Sequence, residues 1–220
     1  MRFLKLPAGR SVRTLIGAAL LVFAWTVTAF SAAGPARRPG KGTILALVPM
    51  GASAERVAAL DEIFRTELNL ETAVLPALEP VPAAFDKRRK QFIGEKLVEQ
   101  LHAEHRQLAG TGKVTVIGVT DHDMLTKAIP KWAFAFSVRN ESVAVVSTFR
   151  MNPRNLGAGM NDAVLQSRLR KMVAKNVGLL LYNLPASSDP HSLLFDGIDG
   201  VEELDFIDER FASSGLLPAQ

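Results

Sequence analysis

The sequence predicts one α/β (α+β) domain: a mixed, twisted sheet packed by helices, followed by an irregular C-terminal subdomain. Three observations carry this. Short apolar runs alternate with amphipathic stretches through the first half of the domain, the order of parallel strands linked by helices. Two further β-rich runs are joined by a short polar turn, which reads as an antiparallel hairpin on the same sheet. The composition is globular, with 48% hydrophobic and 22% charged residues among 220, so wholesale disorder is excluded.

The N-terminus comes first. Residues 1–13 hold Arg2, Lys5, Arg10 and Arg13 without an acid, and an uncharged run of 17 residues, Thr14–Phe30, leads to the small residues Ser31, Ala32 and Ala33. A basic stretch, an apolar stretch and a small-x-small site make a secretory signal. The run also reaches the minimum for a membrane helix, about 17 to 25 residues. Residues 1–33 are therefore read as a signal peptide or an N-terminal membrane anchor, and the chain as exported (periplasmic or extracellular) in either case. Residues 34–42, rich in Pro and Gly, form a linker, and the domain spans 43–220.

Charge and cysteine content remove several function classes. Four of the 26 basic residues lie in the leader, which leaves 22 basic against 22 acidic residues. A domain of zero formal charge gives no reason to expect nucleic acid. Membrane contact is expected only through the N-terminal segment, if it is uncleaved. The chain has no cysteine, which excludes disulfides, thiolate metal sites, cysteine nucleophiles and a lipidated N-terminal cysteine.

Within the domain, Thr43–Pro49 reads as a buried strand and Ala54–Leu68 as a helix, with Val57, Leu60, Ile63 and Phe64 at helical spacing. Leu70–Leu75 is a second strand, and the Pro76–Pro82 stretch is a loop. Asp86–Leu108 is predicted as one long amphipathic helix on the recurrence of Phe92, Ile93, Leu97, Leu101 and Leu108. Lys113–Val119 is a buried strand. Trp132–Val138 and Ser142–Phe149 form the hairpin about Arg139-Asn140-Glu141, Met160–Tyr182 is a third helix, and the remainder is irregular with short helical pieces.

Three segments resemble the archaemetzincin family of zinc peptidases. Arg89-Lys90-Gln91-Phe92, followed by Lys96–Leu101, is similar to the family's R-x-Q-Y/F helix. Val116–Met124 (VIGVTDHDM) is similar to its LGVTDxDL strand and turn, and Val143–Arg150 (VAVVSTFR) to its VAVVS-x-x-R strand. The family signature is H-E-x-x-H-x-x-G-x-x-H-C, followed by C-x-M and then C-x-x-C. It lies on this chain without a gap when it starts at Asn176, and every chemical residue differs. The resemblance puts the zinc histidines at Asn176, Leu180 and Ala186, the general-base glutamate at Val177, and the glycine at Asn183. The cysteine positions are Ser187, Ser192, Ala212 and Gly215, and the Met-turn methionine is Leu194.

These substitutions have a physical meaning. Two ligands from one helix must be four apart to share a face. Asn176 and Leu180 keep the spacing, but a neutral amide is a poor zinc ligand and an aliphatic chain is none. Val177 accepts no proton from a bound water. Asn is the residue next most tolerant of φ > 0 after Gly, which suits Asn183 to a turn, and Leu for Met keeps apolar volume. A buried amide at Asn176 needs hydrogen-bond partners, and Asp196 and Asp199 are the candidates by sequence position.

The resemblance thus implies a metzincin-like fold without zinc-dependent catalysis: no catalytic residue, no metal and no cofactor is assigned. In metzincins the edge strand above the cleft pairs with substrate backbone, and the resemblance implies Ser142–Phe149 for that strand here. The function expected is an exported pseudo-peptidase that binds an extended peptide or an envelope protein by strand addition. The alternative is a hydrolase acting through a rewired metal or non-metal site. His122 and His191 with nearby carboxylates are the candidate metal set, and Ser187 and Ser192 the candidate nucleophiles. The blander expectations are that His102 and His105 are solvated helix residues, His122 a turn residue, and Asp121 and Asp123 local turn acceptors. The run Lys87-Arg88-Arg89-Lys90 reads as a solvated face in a helix's first turns, where cations oppose the dipole; an acidic partner or anionic lipid is the other reading.

Overall fold

The computed structural model describes residues 44–67, 70–109 and 111–209. The leader, the linker, Ala212 and Gly215 lie outside the described residues. Among the described residues, no helix is long and apolar enough to cross a membrane.

Strand β1 (Ile44–Pro49) sits beside β2 (Glu71–Val74) on one flank and β5 (Val114–Thr120) on the other, and both pairings are parallel. β5 pairs in parallel with β8 (Val143–Ser147), and β8 pairs antiparallel with β7 (Ser137–Arg139), which gives the order β2-β1-β5-β8-β7. The mixed sheet and the hairpin are as the sequence predicts.

Alternation along the strands sends residues to two cores, because successive side chains point to opposite faces. Leu45, Leu47, Ile117, Val119, Ala144 and Val146 join a large core with helices α1 (Ala54–Glu67) and α4 (Asp162–Leu180) and the C-terminal segment. Ala46, Val48, Val116, Val143 and Val145 face a smaller core with helix α2 (Gly94–Glu104). Strands covered on both faces read as unbroken apolar runs, which is why β1, β5 and β8 are legible in the sequence.

The predicted helix over Asp86–Leu108 holds from Gly94 onward, but its first part, residues 86–93, is not helical. A two-residue strand β3 (Phe85–Asp86) turns back into β4 (Gln91–Ile93), and only then does α2 begin, followed by the short α3 (Arg106–Ala109). The cause is local. The Asp86 carboxylate accepts the backbone N–H groups of Arg88 (2.9 Å) and Arg89 (3.0 Å), and Lys90 adopts φ 56°. This side-chain turn competes with a helix and spares it four consecutive cations in its first turns. Of the segment similar to the family's R-x-Q-Y/F helix, Arg89–Phe92 is therefore turn and strand here while Lys96–Leu101 is helix, and its basic run is the tip of a hairpin. β4 also pairs with β6 (Met124–Leu125) in a second, three-stranded sheet.

The turn of the main sheet's hairpin is shifted by one residue from the prediction, to residues 140–142. Arg139 belongs to β7, and the reversal is made by Asn140, whose side-chain oxygen accepts the N–H groups of Ser142 (3.0 Å) and Val143 (2.9 Å). Helix α4 is capped by Asn161, whose side chain accepts from the Val164 N–H at 3.1 Å. Beyond it, residues 185–200 form loops that end at the one-and-a-half-turn helix α5 (Val201–Phe206).

Candidate functional site

The signature positions among the described residues lie on α4 and in the loops that follow it, and Asn176 is the one that bonds to β7. Asn176 lies on α4, about one turn before its C-terminal end, and is 1% exposed. Its amide nitrogen donates to the Met172 carbonyl (2.8 Å) and to the Ser137 hydroxyl (3.0 Å), and its oxygen lies 3.2 Å from the same hydroxyl. Asn176 therefore pins helix α4 to β7. Asp196 and Asp199, the partners expected from sequence position, do not bond to it; the true partner lies 39 residues upstream.

Val177 is fully buried in the large core, and Leu180 packs against it partly buried. Asn183 takes φ 51°, the left-handed conformation expected at the signature's glycine position. The chain reverses there, with the Leu184 N–H donating to the Gly178 carbonyl at 2.9 Å. Ala186 is exposed. Next, Ser187 and Phe195 close a loop through Ser187 N–H to Leu194 O (2.9 Å) and Asp196 N–H to Ser187 O (3.0 Å). Leu194 is 8% exposed and belongs to the large core.

One residue before Asn176, Lys175 reaches that loop and donates from Nζ to the Phe195 carbonyl oxygen. Burial pushes its pKa down from 10.5 to about 8; the nearby charge of Arg139 adds to the shift and Asp196 opposes it. One and two turns earlier on α4, two more buried cations hold the C-terminal segment. Lys171 donates to the Asp205 carbonyl (2.8 Å). Arg168 takes the Asp205 carboxylate with Nε (2.7 Å) and Nη2 (2.6 Å), and its Nη1 reaches the Met151 carbonyl (2.7 Å). Sequence reading missed this column. The signal was Arg168, Lys171 and Lys175 at helical spacing on a helix otherwise apolar on that side.

The sheet has two rims, β2 and β7, and the one beside Asn176 is β7, which corrects the assignment of Ser142–Phe149. β8 is flanked by β5 and β7 and has no free edge. On β7 the orientation of the main chain follows from its neighbours. Phe136 O accepts the Ser147 N–H (2.8 Å), and the Asn140 N–H donates to Val143 O (2.9 Å). Main-chain groups of the even-numbered residues thus point into the sheet, and those of Ser137 and Arg139 point outward. The Ser137 side chain faces Asn176, so Arg139, two residues on, shares the α4 face. Val138 takes the other face, against the start of α2. A Cβ on Gly94 would come within 2.4 Å of Val138 Cγ2.

The alternative sets do not assemble. His122 stacks on Phe92 (ring centroids 4.8 Å), and His191 stacks on Phe206 (4.3 Å). Among the described residues no three His, Cys, Asp or Glu side chains form a group able to hold a metal ion. Asp121 is held by Arg56 (2.7 Å) and Thr148, and Asp123 by Arg150 (2.6 Å) and Gln91 (3.1 Å). Both act as structural acceptors, bonded to distant side chains. The hydroxyls of Ser187 and Ser192 accept local backbone N–H groups of Asp189 (3.1 Å) and Leu194 (3.2 Å), and neither has a histidine bonded to it among the described residues.

This architecture is shared with solved structures of archaemetzincin-type zinc peptidases. A zinc-dependent peptidase from Methanocorpusculum labreanum superposes with a TM-score of 0.66 at 18% identity, over 77% of this chain and 96% of that one. The archaemetzincin from Archaeoglobus fulgidus, solved with malonate, gives 0.61 at 19% identity, over 76% of this chain and 94% of that one. The archaemetzincin from Methanopyrus kandleri gives 0.61 at 21%, over 79% and 92%. No family model and no curated protein matches the sequence. At these identities the likeness is one of fold: the chain has the mixed α/β fold of the archaemetzincin-type peptidases.

Proposed function

We propose that this chain is an exported pseudo-peptidase: a peptidase fold without zinc-dependent catalysis that binds an extended peptide along β7. The observation that carries the reading is the state of Asn176. At the position the resemblance gives to the first zinc ligand, the amide is spent on Ser137 and on a helix carbonyl. Leu180 and Ala186, at the other two positions, have no donor atom to offer a metal, and Val177 has no group to take a proton from water. The donor set does not fit zinc.

The open edge supports the binding half of the reading. Ser137 and Arg139 present main-chain groups outward from a sheet whose other strands give them a fixed geometry, and an added strand saturates such an edge. Export rests on the basic, apolar and small-residue order of residues 1–33. The test is a titration of extended peptides beside an assay for their cleavage, on the same preparation. Saturable binding with no cleavage supports the proposal. Cleavage that persists through stringent purification and chelation would overturn it in favour of a rewired hydrolase.

A further inference from the structure

We infer that the ligand of β7 is an acidic peptide, and that Arg139 is the residue that recognises its carboxylate. The inference rests on the strand-addition reading above and adds the chemistry of the ligand.

Along the α4 face of β7, Ser137 is already engaged with Asn176. Arg139, the next residue on that face, is exposed as a residue, but burial of its guanidinium against the domain lowers its pKa, and its side chain makes no hydrogen bond or ion pair among the described residues. It differs in this from Arg56, Arg150, Arg168 and Arg170, each of which holds a carboxylate of the domain itself. Its charge acts on Lys175, whose ammonium group is committed to the Phe195 carbonyl. The one acid acting on that ammonium is Asp196. Two cations against one anion leave a surplus positive charge beside the β7 edge.

An extended peptide paired with Ser137 and Arg139 sets every second side chain on the α4 face. A Glu or Asp there meets a planar fork that can donate two parallel hydrogen bonds to a carboxylate. A Lys or Arg in the same place meets unneutralised positive charge. The free guanidinium thus selects among peptides that the strand edge alone, bonding only main chain, would accept equally.

A displayed library of random octapeptides is selected on the full chain and on Arg139→Gln, and enriched peptides are resynthesised with each acid changed to its amide. The expected result is Glu or Asp enriched at one position. Its amide counterpart should bind the wild type about tenfold more weakly, and that ratio should collapse towards one in Arg139→Gln. Peptides that bind equally well as acid and amide, or a ratio that survives in Arg139→Gln, would overturn the inference and leave strand addition standing. Enrichment of no peptide by either protein would overturn the strand-addition reading together with it.

Discussion

Replacing Lys175 with Met probes the electrostatics beside Asn176 directly. The side chain is 9% exposed, and its ammonium group is pushed from 10.5 to about 8 by burial first and by the charge of Arg139 second. In the unfolded chain the same group titrates near its ordinary value. Between about pH 8 and 10.5 the unfolded state therefore binds more protons than the folded one, and this residue's contribution to stability rises with pH. Below that window both states are charged and the penalty is constant. Its size is roughly 2.5 pH units at ~1.36 kcal/mol each, or about 3 kcal/mol. Urea unfolding of wild type and Lys175→Met across this range measures it. The difference in unfolding free energy, wild type minus variant, should stay flat below about pH 7 and climb by about 3 kcal/mol towards pH 10.5. Subtraction removes other alkaline titrations, such as that of Tyr182, common to both proteins. A difference that is flat throughout would refute the reasoning, since the ammonium would then feel neither burial nor Arg139.

Three further outcomes follow from single contacts. Asn183 stands at φ 51°, so Asn183→Ala should melt lower than Asn183→Gly by the equivalent of about 1 kcal/mol, the cost of a Cβ in the left-handed region. Gly94→Ala sets a methyl within 2.4 Å of Val138 Cγ2 and should cost about 1–3 kcal/mol by overpacking, read from denaturant midpoints. Arg139→Pro removes an outward N–H and none of the bonds between β7 and β8. It should therefore fold with near-native circular dichroism yet lose peptide binding; undiminished binding would place the ligand elsewhere.

Much of this fold is legible because burial on two faces writes itself into the strands. ILALVP and VAVVS are apolar on consecutive residues, as interior parallel strands must be. That same pattern argues against Ser142–Phe149 as an edge, whereas Ser137-Val138-Arg139 alternates polar, apolar, polar as an edge strand does. The resemblance outweighed the pattern there, and the pattern was right. In residues 86–93, helical spacing of Phe92 and Ile93 with later leucines masked a turn made by one carboxylate, Asp86, on two following N–H groups. The pairing of Asn176 with Ser137 was beyond sequence reading, since nothing local in either residue points across 39 positions. By contrast, the left-handed Asn183 was readable, because so few residue types tolerate that conformation.

Metal stoichiometry is the measurement that bears most directly on the proposed loss of the zinc site. The full chain, prepared without a histidine tag and dialysed against zinc, is analysed for bound metal by mass spectrometry. A pseudo-peptidase predicts less than about 0.1 zinc per chain, because a structural zinc site binds by ~10 kcal/mol or more and would stay filled. Close to one zinc per chain would contradict it, and would move the search for ligands to residues outside Asn176, Leu180 and Ala186.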